Sequence, residues 1–65
     1  MTLKNLWDSL DKNRQDDLFY KISASLMVSP ETTISYIRGR RAIPERKRPC
    51  LTALIEGNFH ITITY

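Results

Sequence analysis

Six of the ten basic residues crowd into eleven positions: Arg38, Arg40, Arg41, Arg46, Lys47 and Arg48. Glu45 is the only acid among those eleven. Guanidinium and ammonium groups gathered this way donate hydrogen bonds to phosphates, so the chemistry in view is binding to a polyanion. The plain alternative is a solvated basic loop. The net charge of +3, from ten bases and seven acids, understates the asymmetry. Residues 1–29 hold four bases and four acids, whereas residues 30–65 hold six bases and three acids.

The remaining reactive side chains point away from catalysis. Cys50 is the only cysteine and His60 the only histidine. Together they form neither a disulfide nor a four-ligand zinc site. His60 has no nucleophile partner beside it in the tail, and Gly39 and Gly57 alone do not make a glycine-rich phosphate loop. Asp16 and Asp17 are adjacent, hence on different helical faces, and read as solvated charges. Cys50 reads as a small buried hydrophobe. The expectation is therefore a non-enzyme with no metal or cofactor and no evident small-molecule substrate. No apolar run approaches the ~20 residues of a membrane span. Met1–Leu10 carries Lys4 and Asp8 and lacks a secretory core, so no membrane partner and a cytoplasmic location are expected.

The basic cluster must be positioned by very little protein. A chain of 65 residues makes one small domain with a marginal core. Thr2 is placed to cap a first helix, with Leu3, Leu6, Trp7 and Leu10 along one face and Trp7 expected in the core. Asp11 is placed to cap a second helix, with Leu18, Phe19, Ile22 and Leu26 as its stripe. Ser29-Pro30-Glu31 opens a third, through a cap, a proline at the first position and an acid in the first turn. Gly39 stops it. A fourth helix is expected from Pro44 to about Glu56, stopped by Gly57. Pro49 interrupts its hydrogen bonding, so this helix either kinks or starts at Pro49. The reading is an all-α domain of four or five helices over 1–57, followed by a tail or strand over 58–65.

That tail alternates Ile61, Ile63 and Tyr65 with threonines, which is a strand pattern. One strand leaves its ladder unpaired. Three outcomes are open: pairing with the same strand of a second copy through Ile61, Ile63 and Tyr65, a frayed end, or a helical or otherwise docked end. The first is favoured.

The segment Ile22-Ser23-Ala24-Ser25-Leu26-Met27-Val28-Ser29-Pro30-Glu31-Thr32-Thr33-Ile34-Ser35-Tyr36-Ile37-Arg38-Gly39-Arg40-Arg41 resembles the helix-turn-helix of lambda-repressor-like (Cro/XRE-type) DNA-binding domains. Ile22 and Leu26 match the buried positions of its first helix, and Ser23 the small residue where the two helices approach. Val28-Ser29 matches the turn, Thr32 a common threonine position, and Gly39-Arg40-Arg41 the stop after the second helix. Two departures stand out. Met27 occupies the place of a turn glycine, and Thr33 that of a Val or Ile. A threonine there must place its hydroxyl, for which a carbonyl one turn back is the natural acceptor.

Two registers compete for the third helix. Apolar periodicity alone turns Ile34 and Ile37 inward and leaves Thr32, Ser35 and Tyr36 outside. The resemblance turns Thr33, Tyr36 and Ile37 inward, with the Tyr36 hydroxyl at the edge of the core. It leaves Glu31, Ile34, Ser35 and Arg38 outside. The second is favoured because it needs no gap. It implies base contacts by Glu31, Ile34, Ser35 and Arg38 in a major groove. It implies phosphate contacts by Ser29, Thr32, Arg40, Arg41, Arg46, Lys47 and Arg48. The function expected is sequence-specific binding of double-stranded DNA as a homodimer, in a small prokaryotic or phage-type transcriptional regulator. The alternative on the same scaffold is a protein-interaction module, antitoxin-like or adaptor.

Overall fold

The computed structural model describes residues 1–65 as four α-helices joined by short turns, with no sheet. Helix α1 spans Leu3–Ser9, α2 Lys12–Leu26, α3 Pro30–Ile37 and α4 Arg48–Phe59. A single turn of 3₁₀ helix, Glu45–Lys47, leads into α4. No helix is long and apolar enough to cross a membrane.

The helix starts follow from their caps. The Thr2 hydroxyl accepts from the Asn5 N–H at 3.1 Å, the Asp11 carboxylate from Arg14 at 2.8 Å, and the Ser29 hydroxyl from Thr32 at 3.2 Å. Each satisfies a backbone donor that the first turn leaves unpaired. The helix ends are equally specific. Gly39 takes a left-handed conformation with φ of 76°. Its N–H donates to the Tyr36 carbonyl at 3.2 Å and that of Arg40 to the Ser35 carbonyl at 2.9 Å, which is the Schellman pattern.

For α4 the later of the two expected starts holds to within a residue, and the expected end is corrected. The helix begins at Arg48, so Pro49 falls in the first turn, where its missing N–H costs no helical bond. It also runs through Gly57 to Phe59 and ends at His60, whose φ is 57°. The expected boundary after residue 57 therefore cuts across a helix. Phe59 packs against the core, and that burial carries the helix past the glycine.

The core draws on every part of the chain: Leu3, Leu6, Leu18, Ile22, Leu26, Tyr36, Ile37, Ile43, Leu51, Ile55 and Ile63. Trp7 is only half-buried and packs on its edge. Cys50, expected inside, is exposed.

The tail docks on its own chain, which corrects the favoured reading. The Ile63 side chain is 3% exposed and part of the core. Thr64 donates its N–H to the Met1 carbonyl at 2.8 Å, and Thr2 and Thr64 form one parallel bridge. The N-terminal residues thus supply the backbone partner that a second copy was expected to supply. Ile61 is half-buried against the core. The Tyr65 hydroxyl donates to the Arg48 carbonyl at 3.0 Å and lies 2.8 Å from the Thr52 hydroxyl. Ile61, Ile63 and Tyr65 are spent on intrachain packing and bonding rather than on an open strand edge.

Candidate functional site

Helices α2 and α3 pack on one another across the turn Met27-Val28-Ser29. Met27 adopts the left-handed conformation that the resemblance assigns to glycine, with φ 54° and ψ 49°. Its side chain is 88% exposed, so the turn keeps its shape without making room for a large residue. The Ser23 carbonyl accepts the N–H groups of both Met27 and Val28. At the close approach of the helices, the Ser23 and Thr33 hydroxyls lie 2.8 Å apart. The Thr33 hydroxyl also reaches back to the Ser29 carbonyl at 3.1 Å. A polar group stands where Val or Ile was expected, yet no side-chain nitrogen or oxygen in the chain is buried without a partner.

This packing fixes the rotation of α3. Thr33, Tyr36 and Ile37 are buried. Glu31 and Arg38 are exposed, and Ile34 and Ser35 half-buried. That is the gap-free register and not the one read from apolar periodicity alone. Periodicity failed because the hydroxyl of Thr33 has an acceptor inside, which lets it displace Ile34 from the core.

Glu31, Ile34, Ser35 and Arg40 line one shallow depression, together with Pro30 and with Phe19 from α2. Arg38 and Arg40 line an adjoining cleft with Lys4, Trp7 and Asp8 of α1. Phe19, Trp7 and Lys4 were not singled out for this face. Phe19 and Trp7 had been assigned to the core, and only the tertiary placement of α3 brings their exposed edges beside it.

The polar residues on α3 are partly engaged at home. The Ser35 hydroxyl donates to the Glu31 carbonyl at 3.0 Å. The Ser29 hydroxyl donates to Thr32 Oγ1 at 3.0 Å while capping the helix. Thr32 itself is half-buried.

The six clustered bases divide into two groups. Arg38, Arg40, Arg41 and Arg46 are exposed. Neither ion pair in the chain, Lys4–Asp8 or Asp17–Lys21, involves any of the six. Their field is thus uncompensated by contact with acids. Lys47 and Arg48, however, are half-buried and committed inside the fold. The Lys47 ammonium donates to the Leu26 carbonyl at 3.1 Å, placing positive charge on the negative end of α2. Arg48 Nε donates to the Ile43 carbonyl at 3.0 Å, and its guanidinium lies 5.2 Å from the Tyr65 ring centre. Both had been grouped with the phosphate contacts, because sequence shows charge density without showing which side chains are already bonded. No protein-family model, curated protein or solved structure matches the chain.

Proposed function

We propose that this chain is a double-stranded DNA-binding module of the helix-turn-helix kind, with α3 as the helix that enters the major groove. The observation that carries the reading is the outer side of α3. It presents Glu31, Ile34, Ser35 and Arg38, and it ends in arginines that pair with no acid. Arg38 suits the two acceptors of guanine, Glu31 the amino group of cytosine, and Ile34 a thymine methyl. Ser35 serves a base edge or a phosphate. Arg40, Arg41 and Arg46, with the Ser29 and Thr32 hydroxyls, meet the backbone and set affinity without reading sequence. Lys47 and Arg48 steady the scaffold behind them.

One such module reads few base pairs, so the working unit we propose is a homodimer on two half-sites about one helical turn apart. A regulator of this build, of prokaryotic or phage type and acting in the cytoplasm, works by occupying its operator. Selection from random duplex DNA at about 50 and 150 mM salt tests this. Enrichment of a palindrome with half-sites ~10 bp apart is the expected result. Binding that has no motif and vanishes at the higher salt reduces the surface to a nonspecific basic patch and sinks the proposal.

A second reading rests on a different observation. Tyr20 on α2 and Met27 just past its end are 72% and 88% exposed. Large apolar side chains left in water favour a protein partner, as in an antitoxin-like or adaptor module. A Tyr20→Ser/Met27→Ser variant separates the two. It spares duplex binding if the DNA reading holds, and abolishes partner capture if the protein reading holds.

A further inference from the structure

A groove of about 380 Å³ opens between the N-terminal residues, the end of α3 and the docked tail. That volume lies within the ~300–1,000 Å³ usual for small-molecule sites. Leu3, Ile37 and Ile43 give it an apolar floor, and all three belong to the core. Lys4, Arg41 and Arg48 line it, and no Asp or Glu does. Lys4 is shared with Asp8 at 3.4 Å, whereas Arg41 has no acidic partner. Arg48 is held by its Nε bond and by the Tyr65 ring, which leaves its terminal NH₂ groups free in a fixed orientation.

Tyr36 supplies the remaining polar group. The residue is 7% exposed and lines the groove. Its hydroxyl bonds to nothing in the chain and is not sealed off from solvent. A nearly buried phenol with a spare donor, an apolar floor, the Arg41 guanidinium and the terminal NH₂ groups of Arg48 are complementary to one kind of molecule. Such a molecule has a flat or short apolar body ending in an anionic oxygen pair.

We propose that this groove binds a small organic anion, a carboxylate on an apolar body. The carboxylate faces Arg41 and the Arg48 NH₂ groups and accepts from the Tyr36 hydroxyl. The body lies on Leu3, Ile37 and Ile43. The site is separate from the outer face of α3. Arg41 also belongs to the exposed basic row, so an occupied groove withdraws one cation from any phosphate.

The test uses the whole chain without DNA and follows backbone amide shifts by NMR. Three probes dissect the chemistry: 2-naphthoate, its neutral amide 2-naphthamide, and inorganic phosphate. A 13-atom ligand in an open groove should bind with a Kd on the order of 1 mM. The expected result is saturable naphthoate shifts confined to residues around Gly39–Ile43 and Thr64–Tyr65. The amide should be at least about fivefold weaker, and phosphate should not compete at equal concentration. Arg41→Gln should weaken naphthoate at least about fivefold. Tyr36→Phe should weaken it about two- to fivefold while leaving the urea midpoint unchanged, because the hydroxyl it removes is unpaired in the fold. Equal binding of naphthoate and its amide would overturn the proposal, as would shifts scattered over the chain. Displacement by phosphate alone would reduce the groove to a charge patch and overturn it equally.

Discussion

The Ser23 hydroxyl donates to Thr33 across the α2–α3 contact, and counting protons fixes that direction. Thr33 has one hydroxyl proton and gives it to the Ser29 carbonyl at 3.1 Å. The 2.8 Å contact with Ser23 therefore uses the Ser23 proton and a Thr33 lone pair. A short chain, Ser23 to Thr33 to Ser29, ties α2, α3 and the turn together. Ser23→Ala and Thr33→Val should each destabilise by about 1 kcal/mol, since each strands one partner. The double variant should cost little more than either single, a coupling of about 0.5–1 kcal/mol. Urea denaturation of the four proteins measures it. Strict additivity would show that the bond contributes nothing to stability.

Three positions test backbone conformation separately from packing. Gly39 needs its positive φ, and nothing crowds the space a Cβ would fill. Gly39→Ala should therefore cost about 1–2 kcal/mol from strain alone. Gly57 lies inside α4 with the same open space, so Gly57→Ala should stabilise by about 0.5–1 kcal/mol. Met27→Gly relieves left-handed strain at a side chain that packs on little, and should gain about 0.5 kcal/mol after the extra freedom of the unfolded glycine. Opposite signs for the two Gly→Ala changes, read from urea midpoints, are the decisive pattern.

The tail provides a test of self-docking. Ile63→Ala removes a core side chain and should cost about 2–4 kcal/mol. Because Ile63 packs within its own chain, the loss in Tm should be the same at 5 and 500 µM protein, roughly the range over which a weak dimer would shift. A deficit that shrinks with concentration would restore the tail as an interface between copies.

How much of this was legible in the sequence depends on the range of the interaction. The caps Thr2, Asp11 and Ser29 and the Gly39 stop were all readable, because each acts within four residues. The four helices followed from them and from the apolar stripes. Gly57 misled, since a glycine ends a helix only when nothing beyond it has a reason to pack, and Phe59 does. The pairing of Thr64 with Met1 joins the two extremes of the chain, and no local pattern announces it. On the candidate site, the inward trio Thr33, Tyr36 and Ile37 was recovered through the helix-turn-helix resemblance and not through periodicity. The intrachain bonds of Lys47 and Arg48 were not legible, because they reach a carbonyl twenty-one residues away and an aromatic ring in the tail.

That division bears on DNA binding through its salt dependence. If Arg40, Arg41 and Arg46 are the cations that meet phosphates while Arg38 reads a base, log K against log salt should have a slope near −2.7, at ~0.9 per contact. Arg40→Ala should make the slope shallower by ~0.9 without changing stability. Lys47→Ala should do the reverse, lowering the urea midpoint through the lost cap on α2 while leaving the slope alone. Fluorescence anisotropy over a salt series gives both numbers. A slope change for Lys47→Ala equal to that for Arg40→Ala would contradict the division.

The bond between Thr64 and Met1 also settles how the chain can be rewired. With its first and last segments a hydrogen bond apart, a short glycine linker can bridge them without strain. A new opening can then be cut at the exposed stretch Arg40–Ala42. Such a circular permutant keeps every helix whole and moves the free ends to the C-terminal side of α3. A reporter fused there would sit between the candidate recognition surface and the rim of the groove, which Arg41 and Ala42 line.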